Sequence, residues 1–368
     1  MKLLIVEDNT DQVASYNDVI NGINAAAAAG QEPIQSTMVN TLEEAREALG
    51  RGNFDAAIID LKLSGDQNES QGNDVIREIV SIKRFPVCVY SSYLGDLDEG
   101  MPESVFFKKF ERTATPFLEV VGHLHAIYKT GITKILGSGG SIETRLTEIF
   151  WNNIAGAFDS LVKKGVKEGQ TLRFIAGHLY EHLGLDGAGF DDFLPEEVYI
   201  QPSIKKTFFT GSIIRAREGG KHHIILTPQC DMAIAGKTTT ILAAEISDQP
   251  LTRHKEELRE PLRARATDDQ KKKYEEKQAD LKVRMERLLK NSGSPKYYFL
   301  PKSHWFDGGL IHFQNLVPID PAHIEAQYEL VATVNDQFLR DIVARFAYYY
   351  SRQGSPDLTL SLDDYLKQ

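Results

Sequence analysis

Short apolar runs alternate with amphipathic helical patterns in the first third of this 368-residue sequence, and this alternation restricts the fold more than any other feature. The runs KLLIV, AAII and VCVY are continuously apolar, as strands buried on both faces of a parallel sheet are. IQSTMVNT and SVFFKK indicate two further strands, and segments such as GNDVIREIVSI have helical spacing. The alternation predicts a doubly wound, parallel, five-stranded α/β domain over residues 1–130.

Polar side chains stand at the predicted carboxyl ends of four of these strands: Glu7, Asp8, Asp60, Ser91 and Lys108. In doubly wound sheets this is the edge at which ligands bind. Three carboxylates placed together repel one another unless a cation lies among them, and a set of hard oxygen ligands suits Mg²⁺. The pattern therefore predicts a magnesium site in which Asp60 attacks phosphorus, while Ser91 and Lys108 contact phosphate oxygens.

The segments LLIVEDN, IIDLKL, PVCVYSS and FFKKF occur in this order and resemble the strand-end motifs of receiver domains of two-component response regulators. The resemblance covers residues 1–130. It implies a Mg²⁺ cofactor held by the carboxylates of Glu7, Asp8 and Asp60 and by the backbone carbonyl of Lys62.

The same resemblance implies a phosphotransfer reaction. Asp60 would accept a phosphoryl group from a cognate sensor histidine kinase, with Ser91 as the hydroxyl residue and Lys108 as the phosphate-binding lysine. Lys109 stands where the family commonly has a proline, so it is an alternative phosphate ligand. Pairing through the receiver domain into a homodimer and docking of an effector protein are further expectations.

The rest of the chain predicts a second, α+β domain. Residues 131–141 include the flexible sequence GSGG and are interpreted as a linker. Residues 142–196 look like a helical connector, and residues 197–368 like a β-rich domain with a small barrel. A segment at 251–292, rich in Lys, Arg and Glu, predicts a charged helical hairpin inserted into this domain.

Three stretches of residues 197–368 resemble a small SH3-like barrel of the PemK/MazF-related kind, versions of which occur in phage-defence proteins: GSIIRAREGGKHHIILTPQCDMA, YYFLPKSHWFDGGLIHFQNLVPI and FLRDIVARFAYYYSRQGSPDL. The resemblance implies a response regulator that signals through an interaction domain or acts as a phosphate sink, in anti-phage defence. Two alternatives stay open: an effector enzyme of nuclease type that phosphorylation switches, and an atypical transcriptional regulator. Enzymatic activity beyond receiver phosphotransfer stays undecided.

Cys230 and Asp231 end a β-like run in the sequence TPQCD. A thiol beside a carboxylate could serve as a nucleophile. The alternative is a structural thiol next to an aspartate that caps a turn, and no histidine can be placed beside Cys230 from sequence.

The sequence HLYEH places His178 and His182 four residues apart on one face of a predicted helix, with Glu181 between them. This spacing matches that of inverted zinc proteases. The helix is also amphipathic near a domain edge and no third ligand can be named, so a structural role is the competing interpretation.

Residues 1–130 carry most of the net charge of −10, with 11 Lys/Arg against 20 Asp/Glu, while residues 131–368 have 31 against 32. The acidity argues against nucleic-acid binding by residues 1–130 through bulk electrostatics and leaves the second part undecided. No apolar run approaches a membrane span and no secretory leader is evident, so we expect a cytoplasmic protein without membrane contact.

Overall fold

The computed structural model describes residues 1–28, 32–63, 71–97, 103–184, 193–234, 236–261 and 267–352, together with Asp363 and Leu366. The chain divides into two compact units, Met1–Gly189 and Phe190–Gln368. Among the described residues, no helix is both long and apolar enough to span a bilayer.

The first unit contains a five-stranded parallel sheet, which confirms the predicted parallel α/β architecture. The strand order is β2-β1-β3-β4-β5, and every neighbouring pair is parallel. The strands are β1 (Lys2–Val6), β2 (Gln35–Val39), β3 (Ala56–Ile59), β4 (Val87–Ser91) and β5 (Phe107–Glu111). The helices are α1 (Thr10–Ala25), α2 (Leu42–Arg51), α3 (Gln71–Ile82) and α4 (Phe117–Lys129), and a 3-10 turn covers Leu94–Asp96.

Helices cover both faces of this sheet, which explains why its central strands are continuously apolar. One buried cluster packs α1 and α4 against alternate strand residues, including Leu3, Ile5 and Ile58. The opposite cluster packs α2 and α3 against the residues between them, including Leu4 and Ile59. A parallel sheet covered on both faces leaves its strand ends as the place for polar side chains.

Residues 131–141, predicted as a linker, contain helix α5 (Ile132–Leu136), which ends before the GSGG sequence. Leu136 accepts a hydrogen bond from Arg84 through its carbonyl oxygen, and Ile132 and Thr133 line an apolar cavity together with Val87. The helical connector follows as α6 (Ser141–Ile149), a π-helical turn (Phe150–Ile154), α7 (Ala155–Lys163) and α8 (Glu168–Gly184). Apolar side chains around the GSGG sequence therefore anchor this segment to the first unit.

The second unit contains a curled antiparallel half-barrel of seven strands in the order β10-β11-β9-β8-β7-β12-β6. The strands are β6 (Tyr199–Ile200), β7 (Ser212–Ala216), β8 (His222–Ile225), β9 (Ile241–Ser247), β10 (Tyr297–Leu300), β11 (Gly309–Ile319) and β12 (Tyr328–Val334). The helices are α9 (Gln229–Met232), α10 (Gln249–Arg259), α11 (Asp268–Leu289), α12 (Ile324–Gln327) and α13 (Asp336–Ser351). The finer prediction of an SH3-like barrel stays a prediction.

The charged segment forms a helical insert between β9 and β10, as the sequence indicates. Leu281 of α11 is buried, and the Tyr274 hydroxyl and the Gln278 amide donate hydrogen bonds to carbonyl oxygens near the end of α10. On the last helix, Phe346 and Tyr349 pack against the main core of the second unit. These two aromatic residues of α13 therefore contribute to the core of the second unit.

Candidate functional site

Three carboxylates converge at the carboxyl end of the parallel sheet. Glu7 and Asp8 follow β1 directly, and Asp60 follows β3, which pairs with β1. One oxygen of each carboxylate lies within 4.8 Å of the others. Glu7 and Asp60 are almost completely buried, with 2% and 7% of their surfaces exposed, and Asp8 is half-buried. The structure therefore brings together the acidic residues that the sequence indicated.

Arg112 supplies the positive charge inside this cluster. It directly follows β5, and its backbone amide donates to the Ser91 carbonyl oxygen at 3.2 Å. Its Nη2 donates to Oε2 of Glu7 at 2.6 Å and lies 3.0 Å from Oδ2 of Asp60. The same nitrogen donates to the carbonyl oxygen of Tyr90 at 3.1 Å. One guanidinium thus bridges two of the three acids.

Burial and the neighbouring charges shift the pKa values of Glu7, Arg112 and Tyr16. Burial raises the pKa of Glu7, and the neighbouring Asp60 adds to this effect, while Arg112 opposes it. Burial lowers the pKa of Arg112, but the charges of Asp60 and Glu7 outweigh burial, so the net shift is upward. Tyr16, whose hydroxyl donates to Glu7 Oε2 at 3.2 Å, has its pKa raised by burial and by that carboxylate.

One oxygen of the cluster has no partner. Oδ1 of Asp60 is buried and forms no hydrogen bond within the described residues. A buried polar atom without a partner costs about 1–3 kcal/mol, more if charged. A divalent cation or a phosphoryl group at this oxygen would remove that cost, and three clustered carboxylates are the donors that Mg²⁺ prefers. The residues present therefore fit the predicted metal.

Ser91 and Lys62 border the cluster in different ways. Ser91 ends β4, is fully buried, and its Oγ accepts a hydrogen bond from the amide of Tyr93 at 3.2 Å. Lys62 lies two residues beyond Asp60, and its side chain points to other partners, with Nζ 3.4 Å from Asp96 and 3.8 Å from the centre of the Tyr93 ring. The predicted role of its backbone carbonyl as a metal ligand stays a prediction.

Gly72, near the start of α3, lets this helix approach the backbone of Asp60 and Leu61. A Cβ at this position would lie 2.6 Å from the carbonyl oxygen of Asp60 and 2.6 Å from Cα of Leu61. Both are backbone atoms, so neither can rotate away from an added Cβ as the end of a flexible side chain could. Glycine is therefore required here for the backbone that carries Asp60.

The structure does not place Lys108 with the carboxylates. Lys108 lies within β5 opposite Cys88, three residues before the partner of Ser91, and is exposed. A strand rises about 3.3 Å per residue, so Lys108 lies about 10 Å short of the strand end. Its Nζ is 5.0 Å from the centre of the Phe110 ring. Lys109 lies opposite Val89, also before the strand end.

Arg112 is the residue that sequence reasoning missed at this edge. The paired lysines suggested that the strand stops at Lys108, but the buried Phe110 extends it to Glu111. The signal in the sequence was the apolar Phe110 after the lysines, a second buried residue three positions beyond the buried Phe107. The first cation beyond the true strand end is Arg112.

The Cys230 motif of the second unit is exposed. Cys230 Sγ lies 3.6 Å from Oδ1 of Asp231, and that carboxylate forms an ion pair of 2.7 Å with Lys237. Lys237, by its hydrogen bond, lowers the pKa of Asp231. The aspartate is thus held by a lysine, and a nucleophilic role for Cys230 stays a prediction.

The HLYEH motif lies on α8 without a metal-ligating arrangement in the described part of the chain. Nδ1 of His178 lies 2.8 Å from the carbonyl oxygen of Phe174, and the two rings are 4.3 Å apart. Within the described residues, the only group of three or more side chains close enough to hold a metal is Glu7, Asp8 and Asp60. The predicted zinc site therefore receives no support.

No protein-family model matches the sequence, and no curated protein matches it. Among solved structures, the N-terminal third is similar to a response regulator receiver domain (CheY-like) from Methylobacillus flagellatus, at 18% identity over 34% of this chain and 98% of that one, with a TM-score of 0.27. A receiver domain of a putative LuxO repressor from Vibrio parahaemolyticus shares 20% identity over 36% and 95%, with a TM-score of 0.25.

A third similar structure is the receiver domain of a sensor histidine kinase from Pseudomonas aeruginosa, which has a magnesium ion in its active site cleft. It shares 18% identity over 34% of this chain and 94% of that one, with a TM-score of 0.26. Likenesses of this size concern the fold of the N-terminal region, so the chemistry of the site depends on its own residues.

Proposed function

We propose that this chain is a response regulator whose first unit accepts a phosphoryl group on Asp60 from a sensor histidine kinase. The observation that carries the proposal is the convergence of Glu7, Asp8 and Asp60 at one sheet edge, with a buried Asp60 oxygen that has no hydrogen-bond partner among the residues described. A carboxylate oxygen left unpaired beside a cation is available to form a bond.

In the proposed reaction an oxygen of Asp60 forms a bond to phosphorus while the phosphorus–nitrogen bond of the phosphohistidine breaks. The imidazole nitrogen leaves with the bonding electron pair and takes up a proton. Bound Mg²⁺, held by Glu7, Asp8 and Asp60, would neutralise the negative charge of the incoming phosphoryl oxygens. Ser91, at the end of the adjacent strand, is the hydroxyl residue that would donate to one of them.

Arg112 has two roles in this proposal. Before phosphorylation its guanidinium compensates the charges of Glu7 and Asp60, which would otherwise repel each other in a buried site. After phosphorylation it is the cation in reach of the new phosphoryl oxygens, in the place where the sequence suggested a lysine. Guanidinium groups bind phosphate oxygens through paired N–H donors, so this substitution suits the chemistry.

A small phosphodonor tests the proposal without knowledge of the kinase. We expect the full chain, incubated with acetyl phosphate and Mg²⁺, to acquire one phosphoryl group that peptide mass spectrometry places on Asp60. Asp60→Asn should remove the label, whereas the matched control Asp11→Asn, at an exposed position in α1, should keep it. A label on another residue, or an unlabelled protein, would contradict the proposal.

For the second unit we propose only a general role. It would serve as an interaction module, so that the chain relays or stores the phosphoryl group. Anti-phage defence and switched effector activity stay predictions. A partner that binds the chain after treatment with acetyl phosphate, but not the Asp60→Asn variant, would support this role.

A further inference from the structure

A cleft with basic walls opens between the helical insert and the half-barrel of the second unit. It has a volume of about 770 Å³ and is lined by α10, by the end of α11 and by the chain that enters β10. Its basic side chains are Arg253, His254, Arg284, Arg287 and Lys296. No Asp or Glu side chain of the described residues lines it. We call this feature the cationic cleft.

The positive charge of the cationic cleft is only partly compensated. Arg253 bonds Glu257 at 3.2 Å, and Arg284 bonds Asp280 at 2.7 Å, in both cases one helical turn away. Arg287 has no carboxylate partner within the described residues, and neither has the half-buried Lys296. The exposed Arg287 and the half-buried Lys296, which lack acidic partners in the described part of the chain, favour an anionic ligand by direct charge attraction.

Apolar side chains also line the cleft, on the same three segments as the cations: Pro250, Leu288 and Tyr297. The Tyr297 ring stacks on His312, with ring centres 4.8 Å apart and planes inclined by 29°. The Nζ of Lys296 lies 4.9 Å from the centre of the same ring. An inorganic anion would make no use of the apolar side chains. A ligand with a phosphate at one end and a flat apolar group at the other would contact both the cations and the apolar side chains.

We propose that the cationic cleft binds a nucleoside phosphate, with the phosphate against Arg287 and Lys296 and the base against Tyr297 and Leu288. The volume is within the range of small-molecule sites, about 300–1,000 Å³. The ligand could be a free nucleotide or one residue of a single strand, since both present the same base and phosphate. This site is independent of Asp60 and of the proposed phosphotransfer.

Binding measurements on the full chain test the proposal. We expect ATP, followed by calorimetry, or a fluorescent single-stranded oligonucleotide, followed by anisotropy, to bind with an affinity that falls as salt rises. The double variant Arg287→Ala/Lys296→Ala should weaken binding at least tenfold. The matched control Lys282→Ala, which removes a charge from the same helix outside the cleft, should leave it within twofold.

The remaining outcomes are equally informative. Tighter binding of the oligonucleotide than of ATP would identify a single strand as the ligand, and the reverse order would identify a free nucleotide. The proposal is overturned if neither probe binds at millimolar concentration, or if Lys282→Ala weakens binding as much as the double variant. Inorganic phosphate bound as tightly as both probes would also overturn it, because the apolar side chains would then have no role.

Discussion

Arg112 donates a 2.6 Å hydrogen bond to Glu7 across 105 residues of sequence, and the same nitrogen lies 3.0 Å from Asp60. Arg112 is 17% exposed in its side chain and Glu7 2%, so the pair is largely removed from water. A buried cation between two carboxylates occupies the position in which a divalent ion would neutralise the same charges. A Mg²⁺ ion bound as proposed would therefore compete with the guanidinium for Glu7 and Asp60.

Replacement of Arg112 by Met should destabilise the metal-free protein and strengthen metal binding. Loss of one partner from a buried ion pair leaves an uncompensated charge, at a cost on the order of 3 kcal/mol. Mg²⁺ should restore much of this stability, since a ligand that binds only the folded state stabilises it by mass action. Thermal unfolding with and without Mg²⁺, together with calorimetry of Mg²⁺ binding, measures both effects.

The matched control for this experiment is Arg46→Met, which breaks the exposed pair with Glu78. Exposed pairs contribute about 0–1 kcal/mol, so this variant should stay close to the unmodified protein. An Arg112→Met protein as stable as the control, with unchanged Mg²⁺ affinity, would show that Arg112 is not the counter-ion of the cluster.

Replacement of Lys108 by Ala should leave phosphorylation of Asp60 unchanged. Lys108 is exposed within β5, about 10 Å before the strand end, so its ammonium group does not belong to the carboxylate cluster. The rate of labelling by acetyl phosphate, followed by mass spectrometry, measures this. Arg112→Lys is the informative partner variant, because it keeps the positive charge at the strand end and should retain labelling at a reduced rate. If Lys108→Ala lost labelling and Arg112→Lys did not, the result would support Lys108 as the phosphate-binding residue, as the sequence suggested.

Replacement of Gly72 by Ala should destabilise the first unit by about 1–3 kcal/mol, as expected for an overpacked site. The new Cβ would lie 2.6 Å from backbone atoms of Asp60 and Leu61, so either α3 or this stretch of backbone must shift. Labelling of Asp60 should fall in parallel. Gly50→Ala is the control, because a Cβ there meets no atom within 4 Å and alanine favours the helix by about 1 kcal/mol. The free energy of unfolding, measured in urea, should therefore fall in Gly72→Ala and rise in Gly50→Ala.

The second unit should lose stability as the pH falls below about 6.5, the ordinary pKa of histidine. Burial lowers the pKa of His223, and burial also lowers that of His222, so the unfolded chain binds protons at a pH where the folded chain does not. The stabilisation is fully present above pH 6.5 and is lost as the pH falls toward the lower folded-state pKa. Melting temperatures at pH 7.5 and 5.5 should differ less in His223→Gln than in the unmodified protein. The exposed His304, replaced by Gln, should leave the difference unchanged.

The amino-acid sequence by itself determined the parallel sheet and the acidic cluster. Continuous apolar runs require burial on both faces, and this requirement fixes a doubly wound architecture with strand ends at one edge. Glu7, Asp8 and Asp60 directly follow such runs, so their meeting could be predicted from local pattern alone. The charged helical segment was equally visible, because its enrichment in Lys, Arg and Glu is local.

Only the tertiary structure decided which cation joins those acids. Lys108 and Arg112 are four residues apart in sequence, and the register of β5 against β4 places the second at the strand end and leaves the first short of it. That register depends on burial of Phe107 in the cluster that includes α2 and α3, and of Phe110 in the cluster that includes α1 and α4, and the pattern within β5 does not record this packing. The same reason applies to the cationic cleft. Its walls come from separate helices and a strand, whose approach is set by packing over distance.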